Sequence, residues 1–313
     1  MKHGRISKPT HGSPEWLAVR WKNEDGLARI SASVAAAVYD SHPYVTSADL
    51  ATQLLASEPP QPIEQNSAML RGTTLEGPIR EWAAKMLNVE LHEPDEMFTY
   101  EEDGVRLIAT LDALSAMGAV YEIKTSKKRF DNQLPVMWYW QGVHQAICAD
   151  VTEINWCVFD SDLDLKFYKQ TVTSDEKRQH IEACRNYLAA IDMGMFPESS
   201  IPSYDNISTL HPNAGEGSVE LSADAVQLLD QLTKAKSMIS QLEEHASALQ
   251  AAICSEIGDK SQATVEGKVV ATWKDVSRSS FDQKKFEKDH PALLDKYKKT
   301  STYRQFRLSK GDK

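Results

Sequence analysis

Cysteine is scarce in this chain: four residues in 313, Cys148, Cys157, Cys184 and Cys254, with no CxxC pair. That excludes a disulfide framework and a zinc ribbon, and makes a reducing bacterial cytoplasm the expected setting. Long hydrophobic runs are missing too. None approaches the ~18 apolar residues that cross a bilayer. The basic start Met1-Lys-His-Gly-Arg5 leads into Lys8-Pro-Thr-His11 without an apolar segment, so no secretory signal is expected. With 14 glycines and 13 prolines, collagen-like and low-complexity architectures are excluded. What is there, 41% apolar and 26% charged residues, suits a globular chain with one large domain or two modest ones.

Positive charge is also in deficit, with 35 Lys and Arg against 45 Asp and Glu, a formal −10. Taken alone this disfavours a polyanionic partner. The distribution alters that reading. Residues 258–313 hold 14 of the basic and 8 of the acidic residues, a net of +6, which leaves residues 1–257 with 21 and 37, a net of −16. The chain is an acidic body with a basic end, and a nucleic acid, an acidic partner or solubility would each account for the end.

Residues 14–39 read as two short helices around the polar loop Asn23-Glu24-Asp25-Gly26, with Ser31-Ala32-Ser33 capping Val34–Val38. After a Pro-rich stretch, Gly72–Leu87 places Leu75, Ile79, Trp82, Ala83 and Met86 at helical spacing. Strands are expected at Met97–Tyr100, Val105–Leu114 and Val120–Thr125, the last two joined by a turn at Ser115-Ala-Met-Gly118. Helix Leu134–Ala149, strands Ile154–Phe159 and Leu165–Val172, and helix Ser174–Met193 follow. The expected fold class is α/β (α+β), a mixed sheet flanked by helices, forming a domain over residues 1–198.

Residues 199–220 read as a linker, and 221–257 as one long helix. Its apolar residues, Leu228, Leu232, Ala235, Ile239, Leu242, Ala246, Leu249 and Ile253, are spaced alternately by four and three, a heptad seam. Packing on the body or a neighbouring element and self-association both fit that seam. The basic segment 258–313 holds strand-like pieces at Ala263–Val265 and Val269–Trp273 and a helical piece ending near Tyr297.

One group of residues suggests chemistry. Asp112 ends an apolar run, and ten residues later Glu122-Ile123-Lys124 occupies the next strand. Residues i and i+2 of a strand share a face, so Glu122 and Lys124 point together while Ile123 points inward. A turn at 115–118 would return the chain so that Asp112 lies beside Glu122. Two carboxylates and an ammonium at one point suit a hard cation such as Mg²⁺, with the Ile123 carbonyl available as a further oxygen ligand. Metal-assisted phosphodiester hydrolysis uses such a set, because a nearby ammonium stabilises a metal-bound hydroxide or the pentavalent transition state. A cross-strand charge pair would produce the same residues without any chemistry. Against that, carboxylates among Leu, Ile, Val and Tyr are costly unless paired or metal-bound.

Asp112, Glu122-Ile123-Lys124, the upstream Glu76 and the downstream Tyr139-Trp-Gln141 together resemble the PD-(D/E)xK nuclease superfamily. More narrowly, Trp16-Leu-Ala-Val-Arg20 followed by Ile30-Ser-Ala-Ser33 is similar to a segment of its YqaJ/lambda-exonuclease branch, and the resemblance covers roughly residues 14–172. It implies a PD-(D/E)xK core with Asp112, Glu122 and the Ile123 carbonyl as metal ligands, Lys124 as the catalytic lysine, and Glu76 holding the metal through water. It implies Arg20 and Ser33 at a terminal 5′-phosphate, with Arg29 as a rival, since the loop between Arg20 and Ser33 is longer than the short family form. Gln141 matches the first residue of a Gln-x-Gln motif, whose second position is Val143 here.

The resemblance further implies a Mg²⁺-dependent 5′-to-3′ double-strand DNA exonuclease, with Mn²⁺ able to substitute. Its product would be 3′ single strands for a phage single-strand annealing protein. Relatives form trimeric rings around DNA, which would reconcile an acidic exterior with a DNA channel. The alternatives are a restriction- or repair-type endonuclease of the superfamily and a non-catalytic DNA-binding adaptor. The complete Glu76, Asp112, Glu122 and Lys124 set disfavours the adaptor, and the Arg20/Ser33 pair disfavours the endonuclease. His144 reads as a satisfied helix histidine.

Overall fold

The computed structural model describes all residues except 1, 63, 65, 199, 291, 292, 294, 295, 298–301 and 310–313, and the side chain of residue 284. Most helix starts are set by a side chain that accepts from an N–H the first turn leaves unpaired, the helix Val136–Cys148 with Pro135 ahead of it being an exception. Strand β1 (His3–Ser7) precedes α1 (Pro14–Trp21), which is capped by Ser13 with Pro14 at its first position. The short β2 (Ile30–Ser31) runs straight into a 3-10 helix (Ala32–Tyr39), where a capped α-helix was expected. Ser31 makes no cap bond because its hydroxyl accepts from Arg20 instead. Thr46 with Asp49 forms a capping box on α2 (Ser47–Leu55), and Asn66 caps α3 (Ser67–Leu87), which carries Pro78 in its interior.

Then follow β3 (Leu91–His92), β4 (Glu96–Glu102), β5 (Val105–Ala109), β6 (Ala113–Ser115) and β7 (Val120–Thr125). Helix α4 (Val136–Cys148) leads to β8 (Glu153–Phe159), β9 (Leu165–Thr171), α5 (Ser174–Asp192) and α6 (Tyr204–Leu210).

The apolar run 105–114, expected as one strand, is two. β5 belongs to a four-stranded sheet in the order β1-β4-β5-β2, and β6 to a five-stranded sheet in the order β3-β6-β7-β8-β9. Residues 110–112 cross from one sheet to the other. Hydropathy is continuous through the crossing because both halves are buried, so the pattern gives no sign of it. β7 pairs in parallel with β8, with α4 as the crossover, and β6 pairs antiparallel with β7.

The main core includes Leu107, Val120, Ile154, Trp156 and Leu188, all fully buried, with α4 and α5 laid on it. The consecutive aromatics of α4 are all engaged in packing or bonding. Trp138 stacks on Trp156 at 5.9 Å, Trp140 stacks on Tyr39 at 4.0 Å, and the Tyr139 hydroxyl donates to Glu176. Gly142 lets α4 approach β9 closely, since a Cβ there would lie 2.1 Å from Gln170 Oε1.

The chain divides into two units, 1–212 and 213–313. The first therefore runs past residue 198, and residues 200–212 are not linker. Within them, α6 places Asn206 to donate to Asp49 of α2 at 2.8 Å, and Ser200 shares a buried hydrogen bond with Ser47 at 2.6 Å. Short polar stretches read as loops, yet Ser203 and Asn206 form a capping box on this helix.

In the second unit, α7 (Ala223–Ile257) is followed by the hairpin β10 (Gln262–Val265) and β11 (Lys268–Thr272), and by α8 (Gln283–Asp289). The expected continuation of a helix to Tyr297 falls partly outside the described residues. No helix among the described residues is long and apolar enough to cross a membrane.

Candidate active site

The antiparallel register of β6 on β7 pairs Ala113 with Tyr121, which sets Asp112 beside Glu122. Asp112 belongs to neither ladder. Its Oδ2 accepts from the Ile123 backbone N–H at 2.8 Å, so the aspartate clasps β7 from the crossing segment. Glu122 is 1% exposed, and its carboxylate is fully engaged. Oε1 accepts from Lys124 Nζ at 2.7 Å and Gln141 Nε2 at 2.5 Å, and Oε2 from Gln145 Nε2 at 2.6 Å.

Gln145 was missed in the sequence. The family spacing directed attention to position 143, but Val143 is a fully buried core residue. One helical turn beyond Gln141, position 145 returns to the same face. That i, i+4 pair of amides was the available signal.

Glu76, on α3, lines the same groove of about 1040 Å³ as Asp112, Glu122, Lys124 and Gln141. Arg80, one turn on, was also missed. It donates to the Asp112 carbonyl at 2.9 Å and to Glu93 at 3.1 Å, and lies 3.7 Å from Glu76. Lys8 closes this network on Glu93 at 2.6 Å.

Positive charge falls short around Asp112 and Glu122. Burial, then repulsion from Glu122, pushes the Asp112 carboxyl well above the ordinary aspartate range, and Lys124 and the Ile123 N–H offset this only partly. Burial, then Glu93 and Glu122, raises Glu76 as well. Burial pulls the Lys124 ammonium down, but Glu122 and Asp112 hold it above its usual value, so it remains charged. Asp112 and Glu122 share the Lys124 ammonium while Glu76 lies 3.7 Å from Arg80, and the three carboxylates offer the oxygen donors that fit a hard divalent cation. The three do not close into one coordination sphere. Among the described residues, the group of His, Cys, Asp and Glu with donor atoms all within 4.8 Å is His144, His180 and Cys184.

That buried group is joined by direct hydrogen bonds. His144 Nδ1 meets His180 Nε2 at 3.0 Å, and His180 Nδ1 meets the Tyr39 hydroxyl at 3.0 Å. Burial lowers both imidazoles, His180 to about 3, so the chain of rings is neutral. The expectation of a satisfied histidine holds for one ring nitrogen of His144, while its Nε2 has no partner.

Arg20 lies in the groove as well. Its Nη2 donates to Ser31 Oγ at 2.8 Å and Ser33 Oγ at 2.5 Å, and its guanidinium sits 4.0 Å over the Trp16 ring. Burial lowers its pKa to about 10, which leaves it charged at neutral pH. His11 packs at a tilt against Trp16, with ring centroids 4.6 Å apart. Arg29 points elsewhere. It is 7% exposed, bonds Glu101 at 2.7 Å and the Val19 carbonyl at 3.3 Å, and does not line the groove. Its guanidinium is held in this part-buried ion pair with Glu101, which a one-residue view of the loop cannot show.

Residues 15–152 match the family model described as the YqaJ-like viral recombinase domain. It is similar in structure to an alkaline exonuclease from Laribacter hongkongensis, at 18% identity and a TM-score of 0.46, covering 58% of this chain and 93% of that one. It is also similar to a phage-related exonuclease from Haemophilus somnus 129PT, at 11% identity and a TM-score of 0.40, covering 53% of this chain and 96% of that one. No curated protein matches it in sequence.

Proposed function

We propose that the YqaJ-like viral recombinase domain of this chain is a metal-dependent exonuclease that digests the 5′-ended strand of duplex DNA from its terminus. One observation carries the reading. A single groove is lined both by Glu76, Asp112, Glu122 and Lys124 and by Arg20 with Ser33. Hydrolysis needs the first set, and only an enzyme acting at an end needs a receptor for a terminal phosphate.

Asp112 and Glu122, with the Ile123 carbonyl, would hold Mg²⁺ or Mn²⁺, and Glu76 would reach it through water. The ion would supply an activated water and neutralise charge on the scissile phosphate. Gln141 and Gln145 hold the Glu122 carboxylate from both sides and so fix its orientation. Lys124 keeps its proton and can shift its bond from Glu122 to a phosphoryl oxygen as charge grows there. Arg20 presents a planar fork suited to a terminal phosphate, and its two serine bonds hold the fork in place beforehand. The same reading includes a homotrimer encircling duplex DNA and delivery of 3′ single strands to an annealing protein.

The test uses linear duplexes carrying a 5′-phosphate or a 5′-hydroxyl, beside a closed circle, with Mg²⁺, Mn²⁺, Ca²⁺ or excess EDTA. Mg²⁺ and Mn²⁺ are expected to support digestion, Ca²⁺ little, and EDTA none. The phosphorylated end should be digested faster. Arg20→Ala should narrow that difference more than it slows the hydroxyl substrate, and Arg29→Ala should leave it unchanged. Cleavage of the closed circle, or a phosphate preference untouched by Arg20→Ala, would overturn the end-directed reading.

A further inference from the structure

Every seam residue of α7, from Leu228 to Ile253, is exposed within the second unit, with Leu228 at 63%, Leu242 at 65% and Ile253 at 51%. A helix with a continuous uncovered apolar stripe of about 38 Å is incomplete as a folded surface. Leu232, Ile239, Ala246 and Ile253 occupy a positions and Leu228, Ala235, Leu242 and Leu249 occupy d positions of the seam.

The seam is also symmetric about the midpoint between residues 240 and 241. Reversing a second copy places Leu228 opposite Ile253, Leu232 opposite Leu249, Ala235 opposite Ala246 and Ile239 opposite Leu242. Large residues face large, and the alanines face each other. Size alone would also allow a parallel pair, and charge decides between them. In the reversed arrangement Lys236 and Glu243, both e positions, flank the same stretch of the seam and meet twice across the two-fold axis. In a parallel pair the corresponding contacts are Gln231 with Lys236, Met238 with Glu243, and His245 with Gln250, none of opposite charge. Lys236 and Glu243 make no ion pair among the described residues, whereas Lys234 is already bound to Asp230 at 2.6 Å. Opposed helix dipoles add to the preference for the reversed arrangement.

We infer that α7 is an antiparallel, two-fold dimerisation element whose partner is α7 of a second copy of this chain. This rests on the second unit alone and is independent of the nuclease reading. If the first unit assembles into rings, α7 would join rings in pairs.

The full chain with Cys254→Ser, Ala235→Cys and Ala246→Cys should form an interchain disulfide on mild oxidation, because positions 235 and 246 face each other across the pair. Within one helix they are about 16 Å apart, too far to bond. The same background with Ala235→Cys alone should not cross-link. Leu232→Asp with Leu242→Asp should at least halve the mass seen by sedimentation, with DNA digestion by the first unit serving as the check that the body folds. Lys236→Glu should weaken association about tenfold, as two attractive pairs become repulsive, and adding Glu243→Lys should restore it. Equal cross-linking by the single-cysteine variant, no cross-linking by the double, or an unchanged mass in the aspartate variant would each overturn the inference.

Discussion

Lys124→Ala should lower DNA hydrolysis at least about 10²-fold while leaving folding and duplex binding near wild type. Among the described residues, the ammonium is the one cation bonded to the Glu122 carboxylate, at 2.7 Å. Removing it takes away charge stabilisation from the point where the phosphoryl group becomes most negative. Single-turnover cleavage measured beside a binding isotherm separates the two effects. Lys124→Arg should recover binding but little rate, because a broad guanidinium cannot occupy the site of a compact ammonium. Near wild-type cleavage by Lys124→Ala would remove this residue from the chemistry.

Asp112→Asn should abolish cleavage and yet raise the melting temperature of the metal-free protein at pH 7.5, by about 2–4 °C. Asparagine keeps an oxygen to accept from the Ile123 N–H while removing a charge that burial and Glu122 disfavour. The sign follows from the raised pKa. The folded protein holds the Asp112 proton more tightly than the unfolded chain does, so stability falls as pH rises from the ordinary aspartate value, about 3.9, through the folded one. The gain from Asp112→Asn should therefore shrink as the pH is lowered towards 4. Added Mg²⁺ should stabilise the wild type and leave the variant nearly unchanged. Thermal melts with and without EDTA across pH check all three statements, and a destabilised variant at pH 7.5 would contradict the charge deficit.

Part of the first unit was legible because α1 and α5 begin at Ser13 and Thr173 and its strands are bounded by polar turns, whereas α2 and α6, short and set in polar stretches, were not. The pairing of Asp112 with Glu122 was legible for the same reason, since one short turn fixes the register of β6 on β7. The crossing between sheets was not, because an apolar run carries no mark of which ladder each half joins. β1 was missed in a basic N-terminal stretch whose strand character comes from pairing with β4. Gln145 and Arg80 were missed because a motif fixes spacing along the chain, while these residues reach the site from the next helical turn. The ion pair of Arg29 with Glu101 was not legible, because its partner lies far away in sequence.

The crossing at residues 110–112 also bears on how the protein acquires activity. Glu76 comes from a helix, Asp112 from the gap between two sheets, and Glu122 with Lys124 from a strand whose parallel partner arrives only after α4. No local stretch of chain contains the site, and parallel pairing across a helical crossover is slow to form. During refolding from denaturant, helical ellipticity should return in an early phase, and nuclease competence only with the last docking of the five-stranded sheet against the four-stranded one.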